Sequence, residues 1–365
     1  MRTVHNRSRR RRATVAIVFA VASALVASGF LFAVLTNPLH EGYASPWRGT
    51  TSSSGVIQII VFAKYASSKP KVVDDLCETL KSISKNLSTS LHVHVLADNR
   101  SFGTISGAVS SINKMSNMDI HYTIYDLRAI GEKEEPMVKL LRKYFFTKPV
   151  RKYDDDIFFL TPGFHRIFSR LDRAIFLDTD LRFHDDIRKL WDIFPEFTEE
   201  NIIGIADDLQ PMYREKFADY REKNPETDVG SPHPGKQGFN TGVVLMHLGR
   251  MRNSSKYNWN FDEDHLRSLQ EKYFFNGDLG HQDFFTLLGM EYPELFYHLH
   301  CSWNRQLEMT WALRVSEELF EKYHRCDGLI KVYHANAGSK FPEEDSHASL
   351  QDNREGNYSR ARRLA

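Results

Sequence analysis

Cysteine is scarce in this chain and net charge is almost absent. Three cysteines in 365 residues exclude a disulfide-dense scaffold, and no Cys-x-x-Cys pair offers a paired-thiolate zinc site. Cys301 and Cys326 form a disulfide if the compartment is oxidising, which leaves Cys77 single; otherwise all three are buried thiols. Lys plus Arg number 48 against 47 Asp plus Glu, a formal charge of +1, so a nucleic-acid binder of the basic-stripe type is disfavoured. A G-x-S-x-G elbow, a Walker loop and an H-E-x-x-H pair are also missing. Serine hydrolases, P-loop nucleotidases and that class of zinc enzyme lose support accordingly. No internal repeat is present.

Charge is wholly missing from one stretch. Residues 13–36, "ATVAIVFAVASALVASGFLFAVLT", are long enough to span a bilayer and follow six arginines at 2, 7, 9, 10, 11 and 12. The run suits an uncleaved anchor better than a cleaved signal peptide, although "VASALVASG" keeps cleavage open. The arginines favour a cytoplasmic segment 1–12, and the chain beyond the anchor then lies in a lumen or outside: single-pass type II topology. Residues 37–54 are polar and read as a stem. Asn86, Asn99, Asn253 and Asn357 each open an N-x-S glycosylation sequon in the expected luminal part.

From Gly55 the pattern is that of an α/β domain ending near 341, followed by a polar tail, 342–365. "VIQIIVFAKY" (56–65) and "LHVHVLAD" (91–98) read as buried strands, with helical spacing of Val73, Leu76, Leu80, Ile83 and Leu87 between them. Further strands are expected at 119–127, 173–183, 201–208, 242–248 and 329–333, with a basic amphipathic stretch at 136–152, helix through most of 156–171 and helical spacing at 262–274. Strand, helix, strand order with buried runs predicts a mostly parallel, doubly wound sheet.

In such a sheet ligands collect at the carboxyl ends of strands. "FLDTDL" sets Asp178 and Asp180 at one such end. Two carboxylates that close repel each other, and a shared hard cation relieves the repulsion; the alternative is an acidic turn or a helix N-cap. A cation held that way keeps open positions for a diphosphate. His334, after "LIKVY", is the candidate third ligand or a structural histidine, and Lys340 in the same loop offers a point charge to phosphate. "GFNTG" places Asn240 in a tight turn, to bond a sugar hydroxyl or close the turn, and "GHQDFF" offers Gln282 and Asp283 at a helix start.

The strand at 56–65, "FLDTDL", "GFNTG", "GHQDFF" and "VYH" with a lysine six residues on occur in the order found in the manganese-dependent retaining glycosyltransferases of family 8, the glycogenin-like group, which the chain resembles. The resemblance implies a single Rossmann-like nucleotide-sugar-binding domain of GT-A type with a mostly parallel mixed sheet at 55–341, preceded by the transmembrane helix. It implies Asp178, Asp180 and His334 as Mn²⁺ ligands, with Mg²⁺ as a substitute. Phe62, Ala63, Lys64, Asp178, Thr179, Asn240, Gln282 and Lys340 would meet the donor, with Gln282 and Asp283 the catalytic pair. Leu279, Trp311 and Asn336 would meet the acceptor.

The longer stretches "GIADDLQPMYREKF", "CSWNRQL" and "RCDG" are similar to family members of the endoplasmic reticulum membrane. Those move xylose from UDP-xylose onto the xylose of a xylose-glucose glycan O-linked to EGF-like repeats, such as those of Notch. The partners implied are glycosylated EGF-like repeats and no nucleic acid; a homodimer, and Golgi in place of endoplasmic reticulum, stay open. Two positions depart from the family: His281 stands where an acidic residue is common, and Ala337 where glycine is, with Gly338 following. The rival readings are a related hexosyl- or glucuronosyltransferase and a luminal glycan-binding protein without turnover.

Overall fold

In the computed structural model, residues 41–44, 55–116, 120–147 and 155–342 are described. The expected basic segment, the anchor, most of the stem, Asn357 and nearly all of the tail lie outside the described residues. Among the described residues no helix is long and apolar enough to cross a membrane. The elements below belong, from Gly42 onward, to one compact unit.

The strands, in chain order, are β1 (Glu41–Ala44), β2 (Ile57–Phe62), β3 (Leu91–Ala97), β4 (Ile120–Asp126), β5 (Ala174–Leu177), β6 (Leu181–Phe183), β7 (Ile203–Asp207), β8 (Phe239–Met246), β9 (Phe296–Leu299), β10 (Arg305–Gln306) and β11 (Val332–His334). They form an eight-stranded sheet of order β1-β4-β3-β2-β5-β8-β7-β9 and a three-stranded sheet of order β10-β11-β6. Pairings β2–β3, β2–β5, β3–β4 and β7–β9 are parallel, while β8 runs antiparallel to both of its neighbours. The sheet is thus mostly parallel and mixed, as the resemblance implies. Period-2 patterning cannot show β8's direction, because strands buried on both faces read as continuous apolar runs whichever way they point.

Alternation along the strands splits the core in two. Ile57, Ile59 and Val61 of β2, Val93 and Val95 of β3, Ile175 and Leu177 of β5, and Val243 and Leu245 of β8 enter one cluster, which helices α1 (Pro70–Asn86) and α2 (Phe102–Ser116) cover with Leu76, Leu80, Ile83, Ile105, Val109 and Ile112. Ile60, Leu96, Phe176, Val244 and Met246 point to the other cluster, under α3 (Glu135–Phe145), α4 (Glu263–Tyr273) and α5 (His281–Glu291). Each face thus buries the stripe that its helices present at 3.6-residue spacing.

Local chemistry explains the remaining differences from expectation. The helix expected over 156–171 is broken into three short turns, Ile157–Leu160, Thr161–Gly163 and Phe164–Ile167, with Pro162 in the middle piece. The short edge strand β1 falls within the segment expected as a stem. Cys301 and Cys326 are disulfide-bonded and Cys77 is a free thiol. Asn86, Asn99 and Asn253 are exposed at or beside helix ends.

Candidate functional site

The Asp178–Asp180 segment is where the chain leaves the large sheet for the small one. β5 and β8 pair Leu177 with Val243, and the Asp178 amide then donates to Gly242 O at 2.9 Å. β6 starts at Leu181, pairs with His334 of β11, and the Ala335 amide donates to Asp180 O at 2.9 Å. The switch between sheets is what delivers His334 to the two carboxylates. Its Nε2 lies 3.5 Å from Asp178 Oδ2 and 3.3 Å from Asp180 Oδ1.

The donor set fits a divalent cation. Ligand atoms of Asp178, Asp180 and His334 lie within 4.8 Å of one another, and cis ligands of an octahedral ion bound at about 2.1 Å would lie about 3 Å apart. Two hard oxygens and one imidazole suit Mn²⁺ or Mg²⁺, the nitrogen favouring the former. His334 Nδ1 is 3.0 Å from Asn304 Oδ1, an acceptor only, so this nitrogen carries a proton and Nε2, which faces the carboxylates, is the one a cation would bind. Without a cation those carboxylates outweigh the burial that would lower the ring's pKa, and His334 is pushed up to about 10. Gly242 leaves room for the ring, since a Cβ there would fall 2.4 Å from His334 Cε1 and Nδ1.

Asn304 is fully buried and ties a second residue to this centre. Its Nδ2 donates to Asn240 Oδ1 at 3.0 Å, and that oxygen also accepts from the Gly242 amide at 3.0 Å. Asn240 is therefore held by its carbonyl end, which leaves its Nδ2 as the donor.

Beside the triad sits a polar network on the first turn of α5. Gln282 Nε2 donates to Asp208 Oδ2 at 3.2 Å and Tyr213 Oη at 3.3 Å, and the Tyr213 hydroxyl donates to Asp283 Oδ1 at 2.9 Å. Gln282 Oε1 has the Thr241 amide 3.5 Å away. Asp283 is fully buried, and its other oxygen accepts from the amides of Asp278 at 2.7 Å and Leu279 at 2.8 Å and pairs with Lys216. Both carboxylate oxygens are engaged. Burial pushes the Asp283 carboxyl upward against the pull of Lys216. Burial likewise raises Asp208 to about 7, with the Gln210 amide opposing.

The other expected residues are dispersed around this centre. Ala63 and Lys64 follow β2; Lys64 is ion-paired with Asp155 at 2.8 Å, and the Phe62 ring packs on Phe164 and Phe176 at 5.8 and 5.7 Å. Thr179 is half-buried between the two acids, and Lys340 is exposed beyond β11. Asn336 accepts from the amides of Leu307 and Glu308, both at 3.0 Å. Leu279 is half-buried beside the loop that Asp283 holds, and Trp311 is half-buried on the turn Thr310–Leu313 with the Arg314 guanidinium 5.2 Å from its ring.

The two departures from the family pattern have structural answers. His281 is buried, donates from Nδ1 to Phe158 O at 2.9 Å, and is driven toward neutrality by burial despite nearby Asp178. A neutral ring thus stands where a charge is common. Ala337 adopts φ 55° and Gly338 φ 82°, so alanine here takes a left-handed conformation that suits glycine.

Asp208, Tyr213, Lys216 and Asn304 are absent from the residues singled out by sequence. All four lie within the stretches "GIADDLQPMYREKF" and "CSWNRQL" that carry the resemblance, and Asp208 also ends the strand-like run "NIIGIADD".

Comparison with known proteins agrees with this geometry. The family model "Glycosyl transferase family 8" matches residues 78–325. Over 222 residues, 60% of this chain and 57% of the relative, the sequence is 42% identical to mouse "Xyloside xylosyltransferase 1". It is 30% identical over 184 residues, 50% of this chain and 22% of the relative, to zebrafish "Xylosyl- and glucuronyltransferase LARGE2s". The crystal structure of mouse xyloside xylosyltransferase 1 in its apo form superposes with a TM-score of 0.73 at 33% identity, covering 78% of this chain and 99% of that one. The sequence match spans little more than half the length of the first of these relatives, whereas the structural match spans nearly all of the crystallised chain. The mixed sheet is thereby GT-A-like, and the chain belongs to glycosyl transferase family 8.

Proposed function

We propose that this protein is a Mn²⁺-dependent retaining glycosyltransferase. It moves xylose from UDP-α-xylose to the 3-hydroxyl of xylose in a xylose-glucose glycan O-linked to EGF-like repeats. The observation that carries the reading is the meeting of Asp178, Asp180 and His334 beside Gln282. Xylose as the sugar is supported by the activity for which the 42% identical mouse relative is named. The same proposal places residues 13–36 in the endoplasmic reticulum membrane and the domain in the lumen.

Asp178, Asp180 and His334 hold the cation, which when bound supplies positive charge to the diphosphate as the bond to the sugar breaks. Lys340 adds a second positive charge from its loop, and Phe62, Ala63 and Lys64 receive the nucleotide at the end of β2. Asn240 bonds a donor-sugar hydroxyl through Nδ2. Gln282, its nitrogen engaged by Asp208 and Tyr213, meets the donor sugar with Oε1. An amide oxygen is a poor nucleophile, and Asp283 is enclosed by its own hydrogen bonds; both favour attack by the acceptor hydroxyl on the face the leaving group departs from. Its proton passes to the departing phosphate. Asp283 then supports the Asp278–Leu279 loop and leaves the bond-making to other groups. Leu279, Trp311 and Asn336 receive the acceptor.

The test is to incubate the full-length chain with Mn²⁺, an EGF-like repeat bearing xylose-glucose, and in turn UDP-xylose, UDP-glucose, UDP-galactose and UDP-glucuronic acid. One added pentose from UDP-xylose alone, α-linked by NMR and abolished in Asp180→Ala, is the expected result. A β-linkage would overturn retention, and transfer of another sugar would overturn the donor. No transfer by a folded, manganese-binding protein would favour glycan binding without turnover.

A further inference from the structure

The peptide units that carry the acidic pair are pinned from a third side, by a residue far away in sequence. β6 is the outer strand of the small sheet. Alternate backbone groups of an outer strand face its partner, and the rest face outward. On β6 the outward edge meets α1, whose side chains take the place of a missing strand. The Phe183 amide donates to Ser82 Oγ at 2.9 Å, and the Leu181 amide donates to Thr79 Oγ1 at 3.2 Å. Thr79 does more than pair that edge. Its hydroxyl is 2.6 Å from Thr179 O and 2.8 Å from Leu181 O. A hydroxyl has one proton, so it serves one carbonyl at a time while accepting from the Leu181 amide.

Thr79 is fully buried on the face of α1 that also presents Leu76, Leu80 and Ile83 to the sheet. A helical threonine commonly satisfies itself on the carbonyl four residues back. Here the hydroxyl reaches 100 residues along the chain instead. The Asp178–Leu181 backbone is consequently fixed by Gly242 O at its start, Ala335 N in the middle and Thr79 along the outer edge.

We propose that Thr79 is a positioning residue for the metal-binding carboxylates, setting the peptide planes on both sides of Asp180 so that Asp178 and Asp180 converge on Nε2 of His334. The proposal rests on the metal-site reading of that triad. Ser82 performs the same edge pairing two residues further along β6, and so separates positioning from fold support.

The experiment compares Thr79→Val, Thr79→Ser, Ser82→Ala and Asp180→Ala in the full-length chain. Mn²⁺ affinity is read from the free-ion electron paramagnetic resonance signal, and folding from circular dichroism and thermal unfolding. Thr79→Val keeps the shape and loses the hydroxyl; it is expected to fold and to bind Mn²⁺ about tenfold or more weakly. Thr79→Ser restores affinity to within about twofold of the parent, as a hydrogen-bonding role requires. Ser82→Ala lowers the unfolding temperature and leaves Mn²⁺ affinity at the parent value. A folded Thr79→Val protein with parental affinity overturns the proposal, as does a Ser82→Ala protein that loses as much affinity as Thr79→Val. Thr79→Ala decides the same comparison if valine prevents folding. Parental Mn²⁺ binding by Asp180→Ala would instead overturn the metal-site reading on which the proposal stands.

Discussion

His334 Nδ1 sits 3.0 Å from Asn304 Oδ1, deep in the domain, and this contact assigns the ring its proton. The consequence is that the nitrogen facing Asp178 and Asp180 is the one a cation can bind, by displacing its proton. Removing the amide frees the ring to turn or to exchange tautomers. Asn304→Ala should weaken Mn²⁺ binding by about 10- to 100-fold, measured by calorimetric titration. An affinity within twofold of the parent would show that the packing around His334 is sufficient.

The pH dependence of metal binding follows from the same ring. In the cation-free protein His334 has a pKa of about 10, raised by the two carboxylates, so at neutral pH it carries a proton that the cation must displace. Mn²⁺ affinity should rise with pH from 6 to 8.5, with about one proton released per ion. Titrations in buffers of different ionisation enthalpy read that proton. The sign for stability is opposite. A raised histidine pKa stabilises the cation-free fold fully below the ordinary value, near 6.5, and the contribution is lost as pH climbs through about 10. Thermal unfolding without metal should therefore drop across that window, and less so in His334→Gln.

Gly242 is needed for its missing side chain. An added Cβ would lie 2.4 Å from two atoms of the His334 ring, closer than any relaxed contact, so the ring or β8 must shift. Gly242→Ala should lower Mn²⁺ affinity by at least about tenfold while the far-UV circular dichroism spectrum is kept. Unchanged binding would mean that β8 yields in place of the ring.

Ala337 offers a gain instead of a loss. At φ 55° a Cβ is crowded by its own backbone, a cost of about 1 kcal/mol that glycine does not bear. Ala337→Gly should raise the unfolding free energy by about that amount, seen as a shift of the urea midpoint at constant slope. A lower midpoint would show that the added freedom of the unfolded chain outweighs the relieved strain.

Much of the site was legible because its parts are local. The run Ala174–Leu177 had to be a buried strand, and a D-x-D at its carboxyl end carries its own argument, since two close carboxylates need a counter-charge. "GHQDFF" opens a helix as expected, and its residues sit in the network beside the triad. Other roles depend on contacts between distant segments. Asp283 looked as available as Gln282 from their adjacent positions, yet the fold points it at the Asp278 and Leu279 amides, Tyr213 and Lys216. Thr79 was one polar residue on an apolar helix face, and Asn304 one amide in "CSWNRQL".

The sequence by itself determined the alternation of strands and helices, the two-faced core and the acidic pair, because periodicity and strand-end chemistry are properties of short stretches. Only the tertiary structure decided which way β8 runs, which nitrogen of His334 faces the acids, and that Asp283 is enclosed while Asp208 is held beside Gln282. Those outcomes depend on pairings across tens to hundreds of residues, such as Leu181 with His334 and Thr79 with Thr179. A hydrogen bond between distant segments leaves no period in the chain, and it comes into being only when packing brings its two ends to the same place.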